Sequence, residues 1–190
     1  MRSVIVLILI SLFTFPAFGK KKGSPAMAAA APGDRTCAAS KCHASNELNS
    51  GNAEIFIEGL PKFYQANEIY EISLRLKQKK AKTWGFQATV ADENGDAVGT
   101  LISMKGQKTQ LLDPNRYKSK TNRQYITHTL SGIRGPKKGT SPTWKVQWQA
   151  PDSAGVNPVF HFAFNAANGN KKKTGDHIYT RRILVSAATE

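Results

Sequence analysis

The feature that most constrains the fold is a two-residue alternation of apolar side chains within short runs. Ile72, Leu74 and Leu76 alternate with polar residues, and phenylalanine occupies every second position of residues 160–164. Alternation of this kind places one face of a strand in a core and the other face in solvent. No long stretch carries the 3.6-residue period of an amphipathic helix. The pattern therefore predicts an all-β chain.

The runs are rich in β-branched and aromatic residues and are separated by clusters of Gly, Asn, Asp and Pro. This rhythm is typical of an antiparallel β-sandwich. Asn94-Gly95 within residues 92–96 predicts a tight hairpin turn between the third and fourth strands, and the unpatterned residues 106–123 predict a mobile loop. We expect about eight strands, at residues 53–57, 69–76, 83–91, 99–104, 124–130, 144–149, 159–165 and 178–185.

Residues 1–19 have the layout of a secretory signal peptide. Arg2 precedes an apolar run over residues 4–15, and small Ala17 and Gly19 stand where signal peptidase requires small side chains. The run is too short to span roughly 30 Å of hydrocarbon as a permanent helix. We therefore expect cleavage after Gly19 and a periplasmic or secreted protein with no stable membrane insertion.

The remaining chain divides into two parts by composition. Residues 20–33 consist of Lys, Gly, Ser, Pro, Ala and Met, which predicts a flexible leader, and residues 34–190 have room for one folded domain. The formal net charge of +14 favours acidic partners. Because the positive charge is scattered over predicted loops and strand ends, and the protein is expected to be exported, we expect no nucleic-acid partner.

Eight short motifs occur in order along the chain, at residues 32–37, 42–43, 70–72, 84–87, 127–129, 144–151, 165–169 and 175–179. Together they resemble the bacterial relatives of the Reeler domain, which are also called choice-of-anchor domains. The resemblance covers nearly all of the chain after the signal peptide and implies an immunoglobulin-like β-sandwich of an extracellular or periplasmic protein. Bacterial members usually begin with Cys-x-x-Cys-His, which is similar to the attachment motif of c-type haem.

In this chain four residues separate Cys37 from Cys42, and His43 follows directly. Covalent haem needs two thiols and a His beside the second thiol, so the leading hypothesis is haem c held by Cys37 and Cys42 with His43 as the proximal ligand. The function would then be mono-haem electron transfer, with an acidic redox partner protein or anionic cell-surface material as partner. Two strong axial ligands would leave no open iron position, so no enzyme activity is expected.

The second axial ligand is chosen among the remaining His and Met residues. His128 lies between Ile126 and Leu130 at two-residue spacing, which puts it on the predicted apolar face. It is the preferred distal ligand, although a lone His there also suits a core histidine bonded to the backbone. The alternatives are His161, which alternates out of phase with the phenylalanines, His177 at a strand entrance, and Met104 at a strand end.

The alternative to haem is a disulfide. When an exported protein has two cysteines, the simplest interpretation is that they form a disulfide. A bridge between Cys37 and Cys42 would close a small loop. The protein would then be a non-redox binding or adhesion module whose sandwich loops carry recognition. Zinc is disfavoured because no second close pair of Cys or His completes a tetrahedral shell. No serine-hydrolase elbow, P-loop or calcium loop is found, and we expect no catalytic residue.

Overall fold

The computed structural model describes residues 23–39, 42–113 and 121–188, and the predicted signal peptide lies outside them. In this part of the chain, eleven strands and one short 3-10 helix form two antiparallel sheets and a small parallel pair. The 3-10 helix is Leu130–Ile133. The strands are β1 Glu54–Glu58, β2 Phe63–Tyr64, β3 Ile69–Lys77, β4 Thr83–Ala91, β5 Thr100–Ser103, β6 Thr109–Leu111, β7 Ile126–His128, β8 Thr143–Gln149, β9 Val159–Ala167, β10 His177–Leu184 and β11 Ser186–Ala187.

The two sheets divide the strands between them in a way that confirms the predicted antiparallel β-sandwich. The smaller sheet has the order β1-β3-β8-β5, and the larger has the order β10-β9-β4-β7-β6. Strands β11 and β2 form the parallel pair. In the larger sheet β9 is paired along its length with β10 and β4, whereas β4 is paired along its length with β9 and only at Gln87 and Ala88 with β7.

The core lies between the sheets and is built by the alternating side chains. Along β9, Phe160 stacks on Phe162 and Phe162 on Phe164, with ring centroids 6.2 and 6.1 Å apart. Burying one such side chain contributes roughly 1.5–3 kcal/mol, so the aromatic rows dominate the stability of the sandwich. The other fully buried large side chains of the core are Tyr64, Ile72, Leu74, Leu76, Ile126, Trp144 and Trp148.

The segment after β4 differs from the predicted hairpin. A tight turn forms at residues 92–96, where the Gly95 amide donates to the Asp92 carbonyl and Gly95 has a φ of 93°. The strands that it joins do not pair, because β4 belongs to the larger sheet and β5 to the smaller one. The turn is therefore a crossing point between the sheets.

Two other expectations are corrected. The predicted mobile loop at residues 106–123 contains strand β6 and ends in the buried side chain of Arg123, although residues 114–120 lie outside the described part. The predicted strand at 124–130 ends at His128, and Leu130 begins the 3-10 helix with an exposed side chain. Leu130 therefore does not share an apolar face with His128.

Residues 23–36, which we call the strap, lie on the outer face of the larger sheet. Ala29 is fully buried, the Ala28 amide donates to Gln87 Oε1 over 2.7 Å, and Gln87 Nε2 donates to the Pro25 carbonyl over 2.7 Å. The described part of the predicted flexible leader, residues 23–33, is thus packed against the sheet, while residues 20–22 lie outside the described part. The boundaries at residues 20–33 and 34–190 stay predictions.

A buried ion pair holds the C-terminal part of the strap. Arg123 Nη2 lies 2.8 Å from Asp34 Oδ1, and both side chains are almost fully buried. The Tyr125 hydroxyl donates to the same Asp34 oxygen over 2.6 Å, and Arg123 also donates to the Pro32 carbonyl. The strap and the Arg123 network explain why both faces of the central strands are buried.

Candidate functional site

The turn that carries the cysteines docks onto the end of β9 and the start of β10. The His43 amide donates to the Cys37 carbonyl over 3.0 Å, which closes the turn, while residues 40 and 41 lie outside the described part. Ser45 Oγ accepts from the Gly175 amide over 2.7 Å, and Asn46 Nδ2 donates to the Asp176 carbonyl over 3.0 Å. Backbone and side-chain contacts thus fix the position of His43.

The imidazole of His43 is oriented by a buried carboxylate. Its Nδ1 lies 2.7 Å from Asp176 Oδ2, and the Asp176 side chain is only 3% exposed. The other oxygen of Asp176 accepts from the Asn168 amide over 3.0 Å. Since both carboxylate oxygens are engaged, Asp176 holds the ring with Nδ1 as donor and leaves Nε2 on the opposite side, 3.4 Å from Asn165 Nδ2.

His128 lies against the backbone of β4. Its Nδ1 is 3.1 Å from the Phe86 amide nitrogen, which can only donate, and the Phe86 carbonyl already accepts from Thr127 Oγ1 over 2.6 Å. Nδ1 also lies 3.2 Å from the Phe86 carbonyl, so it accepts from the amide in one tautomer and donates to the carbonyl in the other. Burial lowers the pKa of His128, which favours the neutral ring.

A glycine makes room for this ring. A Cβ added at Gly85 would lie 2.6 Å from His128 Cε1, so any larger residue would displace the imidazole. Gly85 pairs with Asn165 across β4 and β9, and paired residues project to the same face of a sheet. The sheet therefore places His128, Asn165 and His43 along one line.

These side chains line a cleft of about 150 Å³, which we call the His43 cleft. Both predicted ligands, His43 and His128, lie in its wall. Its rim is basic, because the exposed side chains of Arg134, Lys171 and Lys172 line it as well. The remaining lining residues are Thr83, Trp84, Gly85, Ile133, Asn165, Ala167, Gly169, Asn170 and Asp176.

Two residues that line this cleft each carry a buried polar atom with no hydrogen-bond partner among the described residues: Trp84 Nε1, a donor, and Asn165 Oδ1, an acceptor. Three further atoms of this kind, Asp34 Oδ2, His161 Nε2 and His177 Nδ1, belong to residues that do not line the cleft. A buried polar group without a partner is destabilising by about 1–3 kcal/mol, and such groups are rare in folded proteins. The coincidence of the first two in one cleft is the observation that most clearly points to a ligand.

A second hollow, of about 410 Å³, lies at another part of the surface. It is lined by Tyr64, Asp152 and exposed loop residues. It contains none of the predicted site residues. We therefore take the His43 cleft as the candidate site.

The other predicted axial ligands lie elsewhere. His161 is buried and, as expected, projects away from the phenylalanine row, where the charges of Arg182 and Arg123 add to burial in lowering its pKa. His177 begins β10, as the sequence suggests, and stacks on Tyr179. Met104 directly follows β5. None of the three lines the His43 cleft.

The residues at the cysteines do not fit a haem between His43 and His128. Cys37 Sγ faces the Ala28 carbonyl at 3.8 Å, whereas Cys42 is exposed, and two thioether bonds need both sulfurs at one porphyrin edge. The cleft is also smaller than the roughly 300 Å³ at which pockets for drug-sized ligands begin. The assignment of Cys37, Cys42 and His43 to haem c, with His128 as distal ligand, stays a prediction.

The cysteines are both free thiols, so the alternative disulfide is not formed in this structure. Burial raises the pKa of the Cys37 thiol to about 12, with a further contribution from the nearby Cys42. Within the described ranges, no group of three or more His, Cys, Asp or Glu side chains is arranged to hold a metal ion. No helix in those ranges is long and apolar enough to cross a membrane.

Sequence reasoning missed three residues of the cleft. Asp176, Asn165 and Gly85 were present only as letters within motifs that resemble the Reeler relatives. Their roles depend on the pairing of β4 with β9 and of β9 with β10, which places distant residues side by side. The one local signal was the Gly-Asp-His sequence at residues 175–177, which places a carboxylate at the entrance of a predicted strand.

No family model matches the chain, and no curated protein matches it. Among solved structures, the chain is similar to the Reelin-N domain of F-spondin, with 16% identity, a TM-score of 0.48 and coverage of 76% of this chain and 94% of that chain. The human F-spondin reeler domain is 15% identical, with a TM-score of 0.47 and coverage of 75% of this chain and 96% of that chain. A type II cohesin module of the scaffoldin ScaA of Acetivibrio cellulolyticus is 10% identical, with a TM-score of 0.40 and coverage of 74% of this chain and 99% of that chain. Similarities of this size identify no ligand or partner for this chain.

Proposed function

We propose that the protein is an exported, non-redox binding module whose ligand occupies the His43 cleft. The observation that carries this proposal is the pair of buried polar atoms without partners, Trp84 Nε1 and Asn165 Oδ1, in the wall of one cleft. Each of these atoms is desolvated on folding without gaining a hydrogen bond. A ligand that forms hydrogen bonds with them would offset this desolvation cost. Export rests on the predicted signal peptide at residues 1–19.

The surroundings of the cleft support binding rather than electron transfer. His43 and His128 are each held at Nδ1 by a neighbouring group, so both rings are fixed before a ligand arrives. Preorganised side chains of this kind reduce the entropy that is lost on binding. The small volume and the orientation of the Cys37 thiol favour the predicted binding module over haem attachment.

The same residues do not form a recognisable catalytic arrangement. The pair of His43 and Asp176 resembles the base and orienting group of a nucleophilic triad, but a triad also needs a nucleophile within hydrogen-bond reach. Among the described lining residues of the cleft there is no Ser or Cys, and the one hydroxyl residue, Thr83, makes no hydrogen bond to His43. The proposal is therefore a binding protein without enzyme activity, and its basic surface favours anionic cell-surface material as the partner.

A pair of matched substitutions tests this function. Asn165→Leu keeps the size of the side chain but removes both polar atoms from the cleft, whereas Asn52→Leu makes the same change at an exposed loop position. The two variants and the natural chain are measured against immobilised neutral saccharides, acidic saccharides and acidic peptides. We expect at least one probe to bind the natural chain and Asn52→Leu with equal affinity and to lose at least about tenfold affinity for Asn165→Leu.

Gly85→Ala provides an independent check, because its new Cβ would push the His128 ring out of position without adding a polar group. Gly85→Ala should lower the affinity for the same probe. Binding that survives both Asn165→Leu and Gly85→Ala would place the ligand elsewhere, and absence of binding to every probe would contradict a binding module of this kind.

A further inference from the structure

We infer that the ligand of the His43 cleft is the carboxylate-bearing end of an acidic sugar, such as a uronic acid. This inference rests on the proposed function and adds the chemical class of the ligand. It follows from three properties of the cleft that must be matched together: the charge of its rim, the donors and acceptors in its wall, and its size and position on the sheet.

The charge of the rim selects a negative ligand. Arg134, Lys171 and Lys172 surround the opening, and Asp176 is the one acidic residue among the described lining residues. Its carboxylate is already engaged by His43 and by the Asn168 amide, so it is not open to a cation. The cleft therefore offers positive potential to an incoming carboxylate.

The wall of the cleft requires both an acceptor and a donor from the ligand. Trp84 Nε1 is a donor without a partner among the described residues, and a carboxylate oxygen is a natural acceptor for it. Asn165 Oδ1 is an acceptor and needs a hydroxyl or N–H group, which a simple inorganic anion lacks. A sugar acid supplies the carboxylate and the hydroxyl groups in one small molecule.

The size of the cleft limits how much of the ligand it can hold. A volume of about 150 Å³ holds several water molecules, because roughly 10–15 Å³ of such volume is enough for one. That is room for the acidic end of one sugar residue, and the rest of a longer saccharide would extend over the basic rim.

The position of the cleft argues against an extended peptide as the acidic ligand. It lies over β4 and β9, which are central in the larger sheet, whereas β10 and β6 are the edge strands. An extended peptide commonly binds by adding a strand to an open edge, where unpaired backbone groups are available. β9 is paired on both sides and offers no such edge, and on the side of β4 that faces away from β9 the Phe86 amide is bound by the His128 side chain.

The indole N–H signals in a two-dimensional nitrogen–proton NMR spectrum provide a local test. Trp144 Nε1 donates to Gly132 and Trp148 Nε1 donates to Val98, so these two signals are internal controls, whereas Trp84 Nε1 is without a partner. The mature chain is titrated with methyl glucuronide, with methyl glucoside, and with a short glutamate-rich peptide. We expect methyl glucuronide to shift the Trp84 signal and to bind about tenfold or more tightly than methyl glucoside.

Charge variants separate the rim from the general surface charge. Lys171→Gln with Lys172→Gln should weaken methyl glucuronide binding and flatten its salt dependence. Lys137→Gln with Lys138→Gln removes the same charge from an exposed loop that does not line the cleft, and should have little effect. Equal effects of the two double variants would show general attraction and overturn the assignment of the rim.

Three outcomes would overturn the ligand class and still leave a binding module in place. They are equal shifts with methyl glucoside, a Trp84 shift with the peptide alone, or glucuronide shifts confined to residues outside the cleft. Covalently attached haem would instead overturn the proposed function itself.

Discussion

His43 Nδ1 lies 2.7 Å from Asp176 Oδ2, and this contact joins the turn that carries the two cysteines to the first residues of β10. The residues are 133 positions apart in sequence, so the contact exists only in the folded sandwich. It fixes one wall of the cleft. The stability of the N-terminal turn and the geometry of the cleft should therefore respond together to changes at Asp176.

Asp176→Ala should destabilise the protein and weaken ligand binding. The substitution removes the acceptor of His43 and of the Asn168 amide, and the loss of buried hydrogen bonds of this kind is expected to lower the free energy of unfolding by about 1–3 kcal/mol. Urea unfolding measures this change. Asp152→Ala, at an exposed loop position, is the matched control. Equal stability of the two variants would contradict the structural role of Asp176.

The Arg123 network should hold the strap in place. Arg123→Ala leaves Asp34 as a buried charge without its ion-pair partner, and breaking a buried pair in this way typically lowers stability by about 3–5 kcal/mol. Because the Pro32 carbonyl loses its donor as well, the strap should also become sensitive to limited proteolysis before the rest of the domain. If the protease cuts the loops of the sandwich before it cuts residues 23–36, this account is contradicted.

The sandwich could be predicted largely from the sequence, because alternation directly reports which face of a strand is buried. Strand β4 matches its predicted bounds, and β9 extends the predicted run by two residues. The crossing of β5 to the other sheet could not be predicted, since a tight turn at Asn94-Gly95 is compatible with either a hairpin or a change of sheet. The burial of the strap was missed because alanine-rich segments carry no periodic signal.

The cleft was predicted in part. Cys42-His43 and the position of His128 drew attention to two residues that do line one cleft. Their chemistry was harder to predict, because the carboxylate that holds His43 and the glycine that admits His128 come from other strands. The strongest local pattern at the cysteines was the spacing of the Cys-His motif, which resembles a haem attachment motif. The spacing does not show how much space surrounds the cysteine side chains in the folded protein.

The stability of the protein should fall as pH is lowered below about 6.5. Burial is the largest cause of the lowered pKa of both His128 and His161 in the folded protein. The unfolded chain then takes up protons at higher pH than the folded one, so this contribution to stability is complete above about pH 6.5 and is lost progressively below it.

Urea unfolding at several pH values measures this dependence. The double variant His128→Gln with His161→Gln should have a flatter profile between about pH 7.5 and 5 than the natural chain. His177→Gln is the control. An unchanged profile in the double variant would show that the two buried imidazoles are not responsible.

The two cysteines should react with a thiol reagent at different rates. Cys42 is exposed, whereas burial raises the pKa of Cys37 to about 12 and keeps its thiol protonated. Since the thiolate is the reactive form, the native protein at about pH 8 should show one fast and one slow thiol, and denaturation should make both fast. A native protein with no reactive thiol before reduction would instead indicate the Cys37–Cys42 disulfide.

The most direct test of a non-redox binding module is the absorption spectrum and intact mass of the mature protein made in a host competent for cytochrome c maturation. We predict a colourless protein with the mass of the polypeptide alone, because the Cys37 thiol is turned to the Ala28 carbonyl while Cys42 is exposed. A Soret band that survives acid-acetone extraction, together with the added mass of one haem, would contradict this claim and restore electron transfer as the function.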